Sequence, residues 1–348
     1  MRKLNRIESI ILIISMIFLF INTSNNIINM IIISSGIVPL SIIMGHCTDK
    51  ISEVIGDKKG GFLIATLGNL PELSMGLWAI KYGMVTMAKG ALMGCILSNM
   101  LLGIGIAIVA GGIKYKEQHF DKNLARTNFI MLFLSLSSMV VLAALNKSGS
   151  IQKEIMVSLS IKVSIVLIII YVLGFIFSFY SNNQTVINKE TKKVKNKEYM
   201  YSMIILVVSC GLIYLLSENL IGNVNEFIKV YNISEEFIGI ILIPLLGNMG
   251  ELVSAIICAT NNKINLSLET VASSSIQMSL FVVPIMVIGS CIIGMQMDLV
   301  FSSFQIIMAL VAVLMSYIVF QDGKTYWFEG AVLIAMYIMI TLAYYHII

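Results

Sequence analysis

The sequence predicts an all-α integral membrane protein of about eleven transmembrane helices, arranged as an extra N-terminal helix plus two inverted five-helix repeats. Of its 348 residues, 58% are hydrophobic and only 12% are charged, and the mean hydropathy is +0.92. A soluble domain usually carries about 25% charged residues, so this composition excludes that class. The apolar runs approach the roughly 20 residues that a helix needs to cross a hydrocarbon core of about 30 Å, and they do not alternate as barrel strands do.

The predicted spans follow the apolar runs in chain order. They cover residues 8–24, 27–45, 61–80, 88–111, 126–146, 154–180, 199–217, 236–260, 264–290, 299–320 and 326–346. The first span follows Arg2, Lys3 and Arg6 and resembles a secretory signal, but no small-residue cleavage site comes after it. We therefore expect it to remain as a helix.

A polar, low-complexity segment, SNNQTVINKETKKVKNKE at 181–198, divides the chain near its middle. We interpret it as a solvated cytoplasmic connector; a regulatory site or a clamp for anionic lipids is the alternative. The predicted organisation is an N-terminal helix in 1–25, a first repeat in 26–180, this basic linker, and a second repeat in 199–348.

Lysine and arginine fall mainly in alternate loops, with seventeen in one set of loops and five in the other. Cytoplasmic loops retain positive charge, so the set that contains the N-terminus and the linker is predicted to be cytoplasmic. An odd number of spans then places the C-terminus outside.

The stretch ATLGNLPELS at 65–74 has a partner in ILIPLLGNMGELVSA at 241–255. Three residues fall on identical residues at an offset of 179 in each case: Gly68, Asn69 and Glu72 on Gly247, Asn248 and Glu251. The same offset carries Gly60 onto Gly239. The copies lie on the third and eighth predicted spans, an odd number of steps apart, so they should run in opposite directions through the membrane, as in many secondary transporters.

Each copy of the motif offers one carboxylate and one amide on the same side of a helix. Asn69 and Glu72 are three residues apart and share a face, as do Asn248 and Glu251. Pro71 and Pro244 are expected to free backbone carbonyls near the same depth, and the glycines allow close backbone approach. Together these groups form an oxygen-rich site with up to two negative charges, which suits a hard divalent cation such as Ca²⁺ with its roughly 6–8 oxygen ligands.

The alternative is that each glutamate is neutral, hydrogen-bonded and structural. A carboxylate inside an apolar span costs about 2.5–3.5 kcal/mol, so its presence needs compensation. Two glutamates at equivalent repeat positions, each with its asparagine, favour a functional site.

Other energy sources and metal sites find no support in the sequence. There is no Walker A motif and no soluble domain large enough to bind ATP, so uphill movement would need another gradient. The cysteines form no C-x-x-C pair, which argues against a disulfide framework or a zinc site. We interpret His46 and Cys47 as a polar pair at a helix end, with a metal site as the alternative. We expect no resident cofactor, no nucleic acid partner and no enzyme activity, since no Ser/His or Asp/Asp pair lies at a plausible depth.

The chain resembles the cation/proton exchanger family of the calcium/cation antiporter superfamily along essentially its whole length. The resemblance is carried by GFLIATLGNLPELS and GALMGCILSNMLLG in the first half, by EEFIGIILIPLLGNMGELVSAI and SSSIQMSLFVVP in the second, and by DGKTYWFEGAVLIAMYIM at 322–339. Sodium-exchanging relatives usually have threonine or serine where this chain has Asn69 and Asn248.

The resemblance implies that Glu72 and Glu251 are the central ligands of both the cation and the protons. It also implies that further polar residues line the site or its access path: Asn69, Asn248, Ser98, Asn99, Ser274, Ser275 and Gln277. Gly68 and Gly247 are expected beside them. Glu269 stands where relatives usually have a small residue; we interpret it as an interfacial, solvated glutamate, with a recruiting or gating ligand as the alternative.

We therefore expect a secondary antiporter that exchanges Ca²⁺, or another divalent cation, for H⁺ by alternating access, with the two glutamates binding cation and protons in competition. The alternatives are a sodium/calcium exchanger and, from another class, a passive cation channel. The expected location is the cell membrane of a bacterium, and the expected partners are Ca²⁺, H⁺ and the lipid bilayer. The sequence indicates no particular oligomeric state.

Overall fold

The computed structural model describes residues 2–55, 67–149, 152–181 and 196–346, and the described chain is almost entirely helical. Seven of its helices are long and apolar enough to cross a membrane, and an eighth crossing results if the bent pair Glu235–Gly247 and Met249–Thr260 forms one span. Two shorter apolar helices, Ile7–Phe18 and Ser303–Val319, lie where the first and tenth spans are predicted. The predicted fold class is confirmed, and the count of eleven stays a prediction.

The elements of the described chain follow one another in this order. They are α1 (Arg2–Phe18), α2 (Asn26–Ile55), α3 (Leu70–Lys81), α4 (Val85–Leu97), α5 (Ile104–Tyr115), β1 (Glu117–His119), α6 (Lys122–Lys147), α7 (Lys153–Ser181), α8 (Asn196–Tyr231), α9 (Glu235–Gly247), α10 (Met249–Thr260), α11 (Ile264–Gln277), α12 (Val283–Ile292), α13 (Ser303–Val319), β2 (Lys324–Tyr326) and α14 (Trp327–Tyr345). Gly60, the predicted start of the third span at 61–66, residues 182–195 of the linker, and residues 347 and 348 lie outside the described residues.

Two helices run well beyond the predicted spans. Helix α2 continues past 45 to Ile55, and α8 extends the predicted 199–217 to Asn196–Tyr231. The added turns contain charged residues, which end a hydrophobic run but do not end a helix. All backbone hydrogen bonds of a helix are internal, so it can continue from hydrocarbon into water.

The two motif segments lie at breaks between helices. The chain bends by 56° between α9 and α10, and Asn248 occupies the break. Helix α3 begins directly after Asn69, with Pro71 in its first turn, where a missing N–H breaks no bond within α3. Pro244 lies inside α9 and leaves the carbonyl of Ile240 without its usual donor. A Cβ atom on Gly94 of α4 would meet that carbonyl, so the freed oxygen faces α4.

Two long apolar helices are each interrupted by a π-helical segment. Ser98–Gly103 separates α4 from α5, and Met278–Val282 separates α11 from α12. The offset of 179 carries Ser98 to position 277, one residue before the second segment begins. A π-helical turn contains an extra residue and frequently lies at a functional site.

The helices that carry the π-helical segments are the most enclosed spans of the described chain. The most apolar stretch is 83% buried in Val85–Tyr115 and 61% buried in Ile264–Ile292, against 22% in Lys153–Phe177. Glycines allow this packing: a Cβ on Gly90 would lie 2.8 Å from the carbonyl of Glu236, and one on Gly105 would lie 2.8 Å from the carbonyl of Gly330. Small residues spaced in this way let membrane helices approach closely. The repeated motifs are therefore held in the centre of the bundle.

A short antiparallel ribbon connects two loops far apart in sequence. Strand β1 pairs with β2, and Gln118 lies opposite Thr325. Both strands lie in loops that the distribution of lysine and arginine places on the predicted cytoplasmic side. The ribbon joins the end of α5 to the start of α14.

Candidate functional site

The two repeated motifs meet, and the glycine of each copy lies against the glutamate of the other. A Cβ atom built on Gly68 would lie 3.8 Å from Oε1 of Glu251, and one built on Gly247 would meet the side chain of Glu72. A two-fold axis produces this reciprocal pattern, in which residue i of one half contacts residue j of the other and the reverse also holds. The structure thus brings Glu72 and Glu251 together, as the offset predicts.

Each of these glutamates lies in the first turn of a short helix. Glu72 follows Asn69 at the start of α3, and Glu251 follows Asn248 at the start of α10. The unpaired N–H groups of a helix N-terminus stabilise a nearby carboxylate by about 0.3–1 kcal/mol. Burial away from water disfavours the charged form, so the two effects oppose each other. The charged and neutral forms of the carboxylate are therefore balanced, and binding of a proton or a metal cation can shift that balance.

Glu72 is confined and lacks a partner. Its side chain is 2% exposed, and neither carboxylate oxygen accepts a hydrogen bond from any other described residue. Buried polar atoms in native proteins are almost always paired with protein, water or an ion. The two orphaned oxygens therefore indicate a place where a proton or a cation binds.

Asn69 is fixed by a chain of side-chain hydrogen bonds. Its Nδ2 donates to Oε1 of Gln277 at 2.8 Å, and its Oδ1 accepts from the hydroxyl of Ser274 at 3.1 Å. That hydroxyl in turn accepts from Nδ2 of Asn99 at 3.0 Å. The chain joins α3, α11 and the first π-helical segment, so it connects the two halves of the protein.

Asn248 occupies the equivalent position but is not held in this way. Both polar atoms of its amide are buried without a nitrogen or oxygen partner among the described residues, and so is the hydroxyl of Ser98. The thiol of Cys95, which the repeat offset pairs with Ser274, interacts with the Asn248 amide and is a weak hydrogen-bonding group. Ser98 is the residue that the repeat offset pairs with Gln277. The site is therefore symmetric in its glutamates and asymmetric in its amides.

The donor set fits a hard cation. Across the described ranges, no three side chains of His, Cys, Asp or Glu cluster in a metal-binding arrangement. A cation between the two glutamates would take its other ligands from amide, hydroxyl, backbone and water oxygens. That set suits Ca²⁺, whereas Zn²⁺ sites in proteins use cysteine and histidine.

The half of the site around Glu251 is more open than the half around Glu72. Glu251 is partly exposed, as are Met249, Gly250 and Ser254 along α10. The first turns of α3 are largely buried. The less enclosed half of the site therefore continues into α10, whose far end the lysine and arginine distribution predicts to be cytoplasmic.

The remaining candidate residues lie in different surroundings. The hydroxyl of Ser275 lies 3.4 Å from the carbonyl of Val271 in its own helix and is buried. Glu269 is exposed and lines a surface cavity with Asn265 and Asn128, eight residues before Gln277. His46 and Cys47 lie inside α2 and not at a helix end, because that helix continues to Ile55, so the helix-end interpretation is wrong. Nδ1 of His46 lies 3.2 Å from Oε1 of Glu8 in α1.

One contact of the site region has no signal in the sequence. Ser316 of α13 is an isolated serine in an apolar run, yet its hydroxyl bonds to the first π-helical segment across 216 residues. Neither its spacing nor its neighbours in the chain distinguish it from other buried serines.

We expect Asn69→Ala and Asn248→Ala to differ in stability. The first change removes the bonds to the buried Ser274 and the half-buried Gln277, which should lower the free energy of unfolding by about 1–3 kcal/mol. The second removes a buried amide whose only side-chain contact is with the weak thiol of Cys95, so it should destabilise the protein less than the first change does. Thermal unfolding in detergent without Ca²⁺ measures both, and equal destabilisation by the two changes would contradict the asymmetry.

Comparison with known proteins gives a consistent family match. The chain matches the family described as "Sodium/calcium exchanger protein" over residues 7–180 and 201–345. It is 34% identical over 329 residues to the Ca(2+)/H(+) antiporter of Aphanothece halophytica, covering 90% of this chain and 88% of that protein. It is 32% identical over 315 residues to the Ca(2+)/H(+) antiporter ChaA of Bacillus subtilis, covering 89% of each. The crystal structure of the Ca2+/H+ antiporter protein YfkE aligns with a TM-score of 0.83 at 29% identity, covering 98% of this chain and 99% of that one.

Proposed function

Because the chain belongs to the sodium/calcium exchanger protein family, we propose that it exchanges Ca²⁺ for H⁺ across a membrane by alternating access. The similar proteins described above are named Ca²⁺/H⁺ antiporters. Within this chain, the observation that carries the proposal is the reciprocal pair of glutamates. Each lies against the glycine of the other motif, and the buried oxygens of Glu72 have no partner in the described chain.

Glu72 and Glu251 bind the cation and the protons in turn. Two carboxylates balance the charge of one Ca²⁺, and two protons balance the same carboxylates when Ca²⁺ leaves. Ligands of a metal must be deprotonated, so cation and protons compete for the site. If the site changes its access side only when loaded with one or the other, a proton gradient drives Ca²⁺ uphill.

The two asparagines supply amide oxygens, but in different ways. The amide of Asn248 meets only the weak thiol of Cys95 and can turn its oxygen toward the cation at little cost. The oxygen of Asn69 is already held by Ser274, so it enters the site in a fixed direction. Ser98, Asn99 and water complete the roughly 6–8 oxygens that Ca²⁺ prefers.

The protein is an integral membrane protein, and we infer that it lies in the cell membrane of a bacterium with its N-terminus in the cytoplasm. The bacterial relatives and the distribution of lysine and arginine support this orientation. The far end of α10 then faces the cytoplasm. We expect Ca²⁺ extrusion, because the inward proton gradient of such a cell would drive the exchange in that direction.

Purified protein in liposomes tests the exchange directly. With an imposed pH gradient, Ca²⁺ uptake should be accompanied by proton movement in the opposite direction, followed with an internal pH dye. Mn²⁺ and Sr²⁺ in parallel define the cation preference. The family description makes Na⁺ a second candidate counter-ion. Uptake that needs a sodium gradient would select it, and Ca²⁺ flux without any counter-movement would indicate a channel.

The apparent affinity for Ca²⁺ is expected to rise with pH. At low pH the two carboxyl groups carry protons that must leave before the cation binds. At higher pH a smaller fraction of these groups is protonated. Each proton released on binding makes the affinity rise about tenfold per pH unit, so release of two gives a rise of up to about 100-fold. Titration calorimetry in buffers of different ionisation enthalpy counts the released protons, and a pH-independent affinity would overturn the competition.

A further inference from the structure

A hydrogen bond joins the first π-helical segment, Ser98–Gly103, to helix α13 of the second half. The hydroxyl of Ser316 in α13 donates to the carbonyl oxygen of Met100 at 2.6 Å, and it also lies 2.9 Å from the carbonyl of Ala312 in its own helix. A hydroxyl has a single hydrogen, so the shorter contact takes the larger share. Ser316 and Met100 are both 0% exposed, so no water can replace this bond.

This π-helical segment contacts both glutamate motifs. At its start, Asn99 donates to Ser274, which donates to Asn69. At its end, a Cβ atom on Gly103 would lie only 2.9 Å from Cδ2 of Leu252, the residue after the second glutamate. A change in the segment therefore reaches the two halves of the cation site together.

The segment also needs a donor from outside. The extra residue of a π-helical turn shifts its carbonyl groups out of register with the N–H groups of the next turn. If the segment returned to α-helical geometry, Ser98 and Asn99 would rotate by about 100° relative to α5, since an α-helix has 3.6 residues per turn. The hydroxyl of Ser316 satisfies one of the shifted carbonyls and opposes that return.

No equivalent contact is made by the matching serine of the first half. The repeat offset of 179 carries position 316 to Ser137, which is exposed and donates to the carbonyl of Phe133 in its own helix. The bond from Ser316 is thus a particular feature of the first π-helical segment, and Ser137 provides a matched control.

We propose that Ser316 is a positioning residue of the cation site: its hydrogen bond to Met100 holds the first π-helical segment in the register that places Ser98 and Asn99 beside the two glutamates. This inference rests on the proposed function, because it concerns the affinity of the same site for the cation. Ser316 itself does not touch the cation.

The test compares Ser316→Thr with Ser316→Val in the full-length protein. Threonine and valine have nearly the same shape, and only threonine retains the hydroxyl. Ser316→Val and Ser316→Ala should raise the Ca²⁺ concentration for half-maximal proton-driven uptake by about tenfold, because a buried carbonyl loses its donor. The maximal rate should change by less than about twofold, and Ser316→Thr and Ser137→Ala should stay within about twofold of the unmutated protein on both measures.

Two outcomes of the transport measurements would overturn the proposal. Threonine and valine could behave alike, which would mean that the hydroxyl is not what matters. Alternatively, the valine and alanine variants could unfold at a lower temperature or fail to fold, while the threonine variant does not restore the normal Ca²⁺ dependence. Ser316 would then contribute only to packing. If the unmutated protein did not exchange Ca²⁺ for H⁺, the proposed function would fail separately. Equilibrium binding of Ca²⁺ in detergent would then decide this inference, and equal affinities of the threonine and valine variants would reject it.

Discussion

Replacing either Glu72 or Glu251 by glutamine is expected to abolish pH-driven Ca²⁺ transport. Glutamine keeps the shape of the side chain but cannot ionise, so it removes the charge that binds the cation and the group that carries the proton. Loss of one charged ligand should lower the transport rate at low Ca²⁺ by at least about 100-fold, which corresponds to roughly 3 kcal/mol. Each variant is measured in liposomes with an imposed pH gradient.

Stability separates this loss from misfolding. Glu72 has no hydrogen-bond partner in the described chain, and a neutral amide is less costly to bury than a carboxylate, so both variants should unfold at or above the temperature of the unmutated protein. Glu154→Gln, at an exposed position at the start of α7, is the matched control and should transport normally. Near-normal exchange by both site variants would show that the assignment of these two glutamates is wrong.

Gly247→Ala is expected to inactivate transport almost as completely, although it changes no charge. An alanine Cβ would overlap several atoms of the Glu72 side chain, which is buried and cannot stay in place. Displacing a ligand by about 1 Å can cost on the order of 100-fold in function. The measurement is the Ca²⁺ concentration dependence of uptake together with direct Ca²⁺ binding.

Gly68→Ala is the matched comparison within the same site. Its Cβ would lie 3.8 Å from Oε1 of Glu251, which is ordinary van der Waals contact, so Ca²⁺ affinity should change by less than about threefold. Two glycines at equivalent repeat positions should thus tolerate the same methyl group very differently. Equal effects of the two substitutions would contradict the packing around Gly247.

Composition and periodicity alone determined the class of this protein. Long apolar runs with few charges can satisfy their backbone groups in a membrane only as helices, so the all-α prediction needed no tertiary information. Helix ends were predicted less well, because α2 and α8 continue past the hydrophobic run into charged residues. The repeat offset also paired Glu72 with Glu251, since duplicated halves keep their spacing along the chain.

The asymmetry of the site was decided by packing. Asn69 and Asn248 occupy equivalent positions in equivalent motifs, and nothing in their local sequence predicts that one amide bonds to two side chains and the other meets only a thiol. The difference arises because the two partners of Asn69, Gln277 and Ser274, have Ser98 and Cys95 as repeat counterparts. The shorter Ser98 makes no bond to Asn248, and the Cys95 thiol is a weaker partner than a hydroxyl.

Packing between helices also decides the other features that the sequence did not predict. The contact of Glu72 with Gly247, the two π-helical segments and the bond from Ser316 all join residues or turns through the packed interior. Sequence patterns report local periodicity and burial, which are properties of one helix at a time. Which side chains meet across the bundle depends on how all the helices fit together at close-packed density, and only the tertiary structure contains that information.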